Sequence, residues 1–229
     1  MTEIKTCLYM ADCRSLADPA VRERLLPLVS AERRHTIARL RFDKDRQLSL
    51  AAGLLLRHAT REAGFDPAPE ELRRDGYQKL YWPRHPELQF NLSHSENLAL
   101  CVVSDCPAGC DIQHCGEVKP GLARRFFHPA EAEALKKIED TEKRKQEFFR
   151  LWALKESYMK CTGLGFSLAL DSFAILTEPS PPRLSCAPDA DAFRFFEWVS
   201  EDYRIACCLK KYAGNIPPLR SVLLTECFP

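Results

Sequence analysis

The chain has almost no excess charge: 33 Lys and Arg stand against 32 Asp and Glu in 229 residues, a formal net charge of +1. That balance argues against a nucleic-acid binder, which usually needs a basic surplus. No apolar run approaches the ~20 residues that a membrane helix requires, so no membrane partner is expected. The opening Met1-Thr2-Glu3-Ile4-Lys5-Thr6-Cys7 lacks the charged-then-apolar pattern of a secretory signal. The eleven cysteines are odd in number and follow no repeating spacing, which predicts reduced, mostly buried thiols in a cytoplasmic protein. Cys106, Cys110 and Cys115 with His114 could ligate zinc. Their irregular spacing and the absence of a second Cys-x2-Cys pair argue against it.

What is present is ordinary in bulk and specific in places. Apolar residues at 45% and charged residues at 28% fit a globular protein. The length allows one large domain or two of about 110 residues, each able to bury a core. Residues 4–10 read as a first strand. Helical spacing follows over Val21–Val29 and Ala31–Arg41, with Ser30 placed as a cap, and is clearest from Arg46 to Glu62. Gly64 and Pro67 end that helix. Residues 77–82, 88–92 and 97–104 read as strands. Pro107-Ala108-Gly109 reads as a turn and divides the chain into halves, 1–107 and 108–229.

The second half opens with a short strand carrying Asp111. Helices are expected over 120–127 and from Pro129, the latter with acids in its first turn. A charged, solvated stretch is expected over 139–147, then a long helix from Gln146 to Cys161 stopped by Gly163. Strand-like runs follow at 172–177, 193–198 and 203–209, with a proline-rich loop at 179–188. Each half thus holds one long helix and about three strands.

The helix from Gln146 contains Trp152-Ala153-Leu154-Lys155-Glu156-Ser157-Tyr158-Met159-Lys160. Glu156 and Lys160, four residues apart, lie on one helix face. Phe148, Phe149, Leu151 and Trp152 suggest that the helix is packed, which would hold both charges near a core. Two carboxylates, Asp111 and Glu156, with a lysine are what a magnesium-assisted reaction on a phosphate needs. In isolation Asp111 would read as an ordinary turn residue, and Lys160 as the partner of a weak helical ion pair with Glu156. Gln113, two residues on from Asp111, points to the same side of a strand.

These residues resemble a known family. Asp111-Ile112-Gln113, the segment Trp152 to Ser157 with Lys160 and Gly163, and Phe90-Asn91-Leu92-Ser93-His94-Ser95 look like the signature motifs of 4′-phosphopantetheinyl transferases of the Sfp type. They cover roughly residues 30 to 175. The resemblance implies an α+β fold, a pseudo-dimer of two similar α/β subdomains with the active site in the cleft between them. It implies a monomeric enzyme that transfers the phosphopantetheine arm of coenzyme A to a serine of an apo acyl, peptidyl or aryl carrier protein, releasing 3′,5′-ADP. The N-terminal subdomain would serve the nucleotide side of coenzyme A, and the C-terminal one the Mg2+ and the catalytic helix.

Residue by residue, the resemblance makes Asp111 and Glu156 metal ligands and Lys160 the charge partner of the pyrophosphate. Glu156 or a water would be the general base. Gln113 stands where many members carry glutamate; its amide oxygen could ligate or hold a water, with one negative charge fewer. His94 would contact phosphate with Asn91 and Ser93 beside it. Arg74 and Lys79 fall at the family's Gly-Lys-Pro element, where Gln78 and Leu80 replace the glycine and proline. Arg33 and Arg46, from a basic segment at 33–46, would take the 3′-phosphate, and Lys155 is a weaker coenzyme A contact. Gln113 and the altered Gly-Lys-Pro loop leave a second reading, a non-catalytic coenzyme A or carrier-protein binding module.

Overall fold

The structure is a computed structural model and describes residues 4–228. It divides into two compact units, residues 1–106 with 216–229, and residues 107–215.

In the first unit, β1 (Cys7–Asp12) leads to α1 (Pro19–Leu25), α2 (Ala31–Arg39) and α3 (Asp43–Glu62). The Ser30 side chain accepts the backbone N–H of Arg33 and caps α2 as expected. Gly64, at φ +85°, ends α3. Next come the two-residue strands β2 (Arg73–Arg74) and β3 (Leu80–Tyr81), then β4 (Gln89–Ser95) and β5 (Leu98–Ser104). Only Leu80 and Tyr81 of the expected 77–82 strand are extended. Asp75 closes a turn instead, its Oδ1 accepting the N–H groups of Tyr77 and Lys79.

Alternation on the strands explains the core. Cys7, Tyr9 and Ala11 of β1 and Ala99, Cys101 and Val103 of β5 share a cluster with Leu48, Leu55 and Ala59 of α3.

The second unit begins with β6 (Ala108–His114). Ala108 and Gly109 therefore lie inside a strand, not in the expected turn. Short α4 (Leu122–Phe126) and α5 (Pro129–Lys136) precede α6 (Thr141–Thr162). The stretch expected to be solvated at 139–147 is mostly the start of α6. Asp140 caps it by accepting the N–H groups of Glu142 and Lys143, and a Lys145–Glu142 pair at 2.7 Å braces the first turns. Gly163, at φ +75°, stops α6 where expected.

Then β7 (Ala174–Leu176) pairs with β8 (Arg183–Ser185), a strand within the expected proline-rich loop. β9 (Phe193–Ser200) and β10 (Tyr203–Lys210) complete a sheet of order β6-β10-β9. The core joins Leu154, Tyr158 and Cys161 of α6 to Phe193, Phe195, Ala206 and Cys208 of that sheet. Trp152 sits in an aromatic group with Phe126, Phe127 and Phe148.

The last segment corrects the expected boundaries. β11 (Leu219–Ser221) pairs in parallel with β1, and α7 (Leu224–Cys227) buries Leu224 in the first core. Residues 216–229, assigned from the sequence to the second half, thus belong to the first unit, whose sheet order is β11-β1-β5-β4. Each unit is one long helix on an antiparallel or mixed sheet, the α+β content expected.

Candidate active site

Strand alternation puts Gly109, Asp111 and Gln113 on the face of β6 that looks at α6. Gly109 is where the two elements meet. A Cβ built there would stand 2.1 Å from Ser157 O and 2.3 Å from Cys161 N, so the helix backbone rests directly on the strand. That contact sets Glu156 and Lys160 level with Asp111.

Asp111 is buried. Its Oδ1 lies 2.5 Å from Lys160 Nζ, and its Oδ2 accepts Gln113 Nε2 at 2.8 Å. Lys160 therefore pairs with the strand aspartate rather than, as its helical spacing suggested, with Glu156. Its side chain remains 26% exposed. Burial works against the Lys160 charge, but Asp111 above all outweighs it and lifts the ammonium above its ordinary value.

The Glu156 side chain makes no hydrogen bond or ion pair among the described residues. Burial, then the charge of Asp111, raises its carboxyl above the usual range, and Lys160 opposes the rise. A half-buried carboxylate whose pKa is raised suits proton acceptance.

The described residues hold no cluster of three or more His, Cys, Asp or Glu able to bind a metal. Two hard carboxylates still fit magnesium, which binds through one or two such groups and keeps waters or phosphate oxygens for the rest of its shell. Asp111 and Glu156 supply them. Gln113 donates one of its two amide N–H groups to Asp111.

Lys155 is a correction. It is fully buried, with Nζ 2.9 and 2.6 Å from the two Glu131 oxygens and 2.7 Å from Phe173 O. All three ammonium hydrogens are used inside the unit, so a coenzyme A phosphate has no place there. Glu131, its partner, escaped the sequence analysis because it looks like any acid in a first helical turn.

In the first unit, Arg33 donates to Ser49 O at 3.0 Å, and burial, then the charge of Arg74, lowers its pKa. Arg74 donates to Glu32 at 2.9 Å, so Arg33, Glu32 and Arg74 form one charged group. Arg46 is tied to Leu40 O and Asp43. Lys79 follows Gln78, whose φ of +68° is a glycine-like conformation at the position of the family's glycine. Asn91 and Ser93 share one face of β4 while exposed His94 lies on the other, because the strand runs on to Ser95.

An α+β protein in which a strand carboxylate, a helix carboxylate and a lysine converge has the equipment of a phosphate-handling enzyme. The comparisons with known proteins show the family. Residues 19–106 match the family described as 4′-phosphopantetheinyl transferase, N-terminal, and residues 107–208 match the 4′-phosphopantetheinyl transferase superfamily. These matches meet where the two units divide. A 4′-phosphopantetheinyl transferase of Bacillus subtilis is 34% identical over 192 residues, covering 81% of this chain and 84% of that protein. The 4′-phosphopantetheinyl transferase Sfp of Bacillus subtilis strain 168 is 29% identical, covering 81% and 84%. The human L-aminoadipate-semialdehyde dehydrogenase-phosphopantetheinyl transferase is 26% identical, covering 82% and 69%. The chain belongs to the 4′-phosphopantetheinyl transferase superfamily and is of the Sfp type. No helix among the described residues is long and apolar enough to cross a membrane.

Proposed function

We propose that this transferase moves the 4′-phosphopantetheine arm of coenzyme A to a serine hydroxyl of an apo acyl, peptidyl or aryl carrier protein, with magnesium, releasing 3′,5′-ADP. The observation that carries this is the convergence of Asp111, Glu156 and Lys160 on β6 and α6. The serine oxygen bonds to the β-phosphorus, and the bond from that phosphorus to the bridging oxygen breaks. Glu156, or a water beside it, takes the serine proton. Lys160, held beside Asp111, brings the positive charge that would offset charge on the departing phosphate. Asp111 and Glu156 would hold the magnesium, which supplies further charge neutralisation at the pyrophosphate. Positioning and electrostatics carry most of the rate in such a transfer. Incubation with coenzyme A, magnesium and apo carrier proteins should give carriers heavier by one phosphopantetheine arm. Binding of coenzyme A without such a gain, across a panel of carriers, would favour the binding-module reading.

Gln113→Glu should retain transfer and lower the magnesium concentration needed for half-maximal rate, because it adds a charge to the face that bears Asp111. An unchanged or higher requirement would remove residue 113 from the metal's surroundings.

The first unit supplies Arg33, Arg46, Arg74, Lys79, Asn91, Ser93 and His94 as contacts for the nucleotide end, with the 3′-phosphate assigned to Arg33, Arg46, Lys79 and His94. Removing one charged contact should cost about 1–3 kcal/mol of coenzyme A binding. Dephospho-coenzyme A, which lacks the 3′-phosphate, should bind Arg33→Ala and His94→Ala almost as well as wild type. Equal losses for both ligands in calorimetry would move the 3′-phosphate elsewhere.

A further inference from the structure

Lys155 and Glu131 form the most completely enclosed ionic group in the second unit. Their side chains are 0% and 4% exposed. Besides Lys155, Glu131 accepts Ile175 N at 2.7 Å and His128 N at 2.9 Å. One carboxylate thus ties α5, β7 and α6 together. Lys155 also donates to Phe173 O and stands 4.2 Å from the Phe173 ring centroid. Such a group is costly as a means of stability alone, since well-packed apolar side chains often serve as well or better. Its geometry gives it another use.

On α6 the side chain of Lys155 leaves the axis about 100° from Glu156 and about 140° from Lys160. The helix is therefore tethered on two well-separated sides: by Lys160 to Asp111 on β6, and by Lys155 to Glu131 and Phe173. Gly109 sets the distance between helix and strand and the apolar packing of Leu154, Tyr158 and Cys161 holds the helix on the sheet, while the ionic tether adds directional hydrogen bonds that apolar contacts lack. A charged group ~6 Å from the axis moves about 1 Å for each 10° of rotation. Misplacement by about 1 Å can cost on the order of 10²-fold in rate.

We infer that Glu131 and Lys155 are positioning residues that fix the rotation of α6 and thereby the reach of Glu156 and Lys160 toward Asp111. The inference rests on the proposed transfer reaction. The test compares Glu131→Gln with the double variant Glu131→Gln/Lys155→Met. In the double variant the amide oxygen can still accept Ile175 N–H and methionine fills the lysine stem, so no charge is left buried, although the amide nitrogen then stands where Glu131 accepted the His128 N–H.

The double variant should stay folded at the assay temperature, with some loss of melting temperature from the α5 cap, yet its kcat should fall at least about tenfold while the KM for coenzyme A stays within about threefold. Glu131→Gln alone should also lower kcat. A folded double variant with wild-type kcat would make the pair a core strut and overturn the inference. So would wild-type kcat in Glu131→Gln, which decides the matter if the double variant does not fold. Absence of transfer by the wild type would overturn the proposed function instead. The amide NMR shifts of Glu156 and Lys160 then decide: movement in Glu131→Gln larger than in β9 supports the positioning pair, and unmoved shifts overturn it.

Discussion

Alanine in place of Asp111 is expected to slow phosphopantetheine transfer by at least ~10²–10³-fold, the loss typical of removing one electrostatic anchor from such a site. Asp111 is the point where the other groups meet: Lys160 on one oxygen, Gln113 on the other, and Glu156 within reach of its charge. Its loss withdraws a proposed metal ligand and the ion-pair partner of Lys160, and removes one of the charges that raise the Glu156 carboxyl. Asp111→Asn separates chemistry from folding, because the amide keeps the shape and one acceptor oxygen. Both variants should be slow, with Asp111→Asn melting nearer the wild type. Glu156→Ala should be as inactive, with little loss of stability, since its carboxylate gives up no hydrogen bond among the described residues. The readout is initial rate at saturating magnesium beside a thermal melt. Near-normal turnover in Asp111→Ala or Glu156→Ala would remove the two-carboxylate site.

Most of the candidate site could be assembled from the sequence because its residues obey local periodicities. Glu156 and Lys160 share a face by helical spacing, and Asp111 and Gln113 by strand alternation, so membership followed from the sequence. Partnership did not. The pairing of Lys160 with Asp111 rather than Glu156 depends on how α6 crosses β6, a tertiary fact set by Gly109. Lys155 went astray for the same reason: a motif places it beside Glu156, while only the packing of α5 and β7 shows that its charge is spent on Glu131. The long helices were found from their apolar faces, but the start of α6 was missed. Its first turns are polar on all sides and held by the Asp140 cap and local ion pairs rather than by burial. The return of residues 216–229 to β1 carries no local signature, because a short parallel edge strand is defined by its partner.

Gly109→Ala is the substitution for which the largest structural effect is expected. The added methyl carbon would lie 2.1 Å from Ser157 O, 2.3 Å from Cys161 N and 2.8 Å from Lys160 C, all backbone atoms in the middle of α6. A flexible side chain could swing aside; a hydrogen-bonded helix backbone cannot. β6 cannot withdraw either, since seven of its residues are in register with β10. Relief requires α6 and β6 to separate, which opens the core formed by Leu154, Tyr158, Ala206 and Cys208. Overpacking of this kind costs about 1–3 kcal/mol and sometimes more, and with backbone on both sides the upper end is expected. For a protein of this size that is a fall of roughly 6–12 °C in melting temperature. Activity below that temperature should fall further, on the order of 10²-fold, because the carboxylate of Glu156 would be carried away from Asp111 with the helix. Gly76→Ala is the matching control, as a methyl group there meets nothing within 4 Å. Circular-dichroism melts and transfer rates of the two variants make the comparison. If Gly109→Ala melts and turns over like Gly76→Ala, the helix does not rest on the strand at Gly109, and the spacing of the carboxylate pair is set somewhere else.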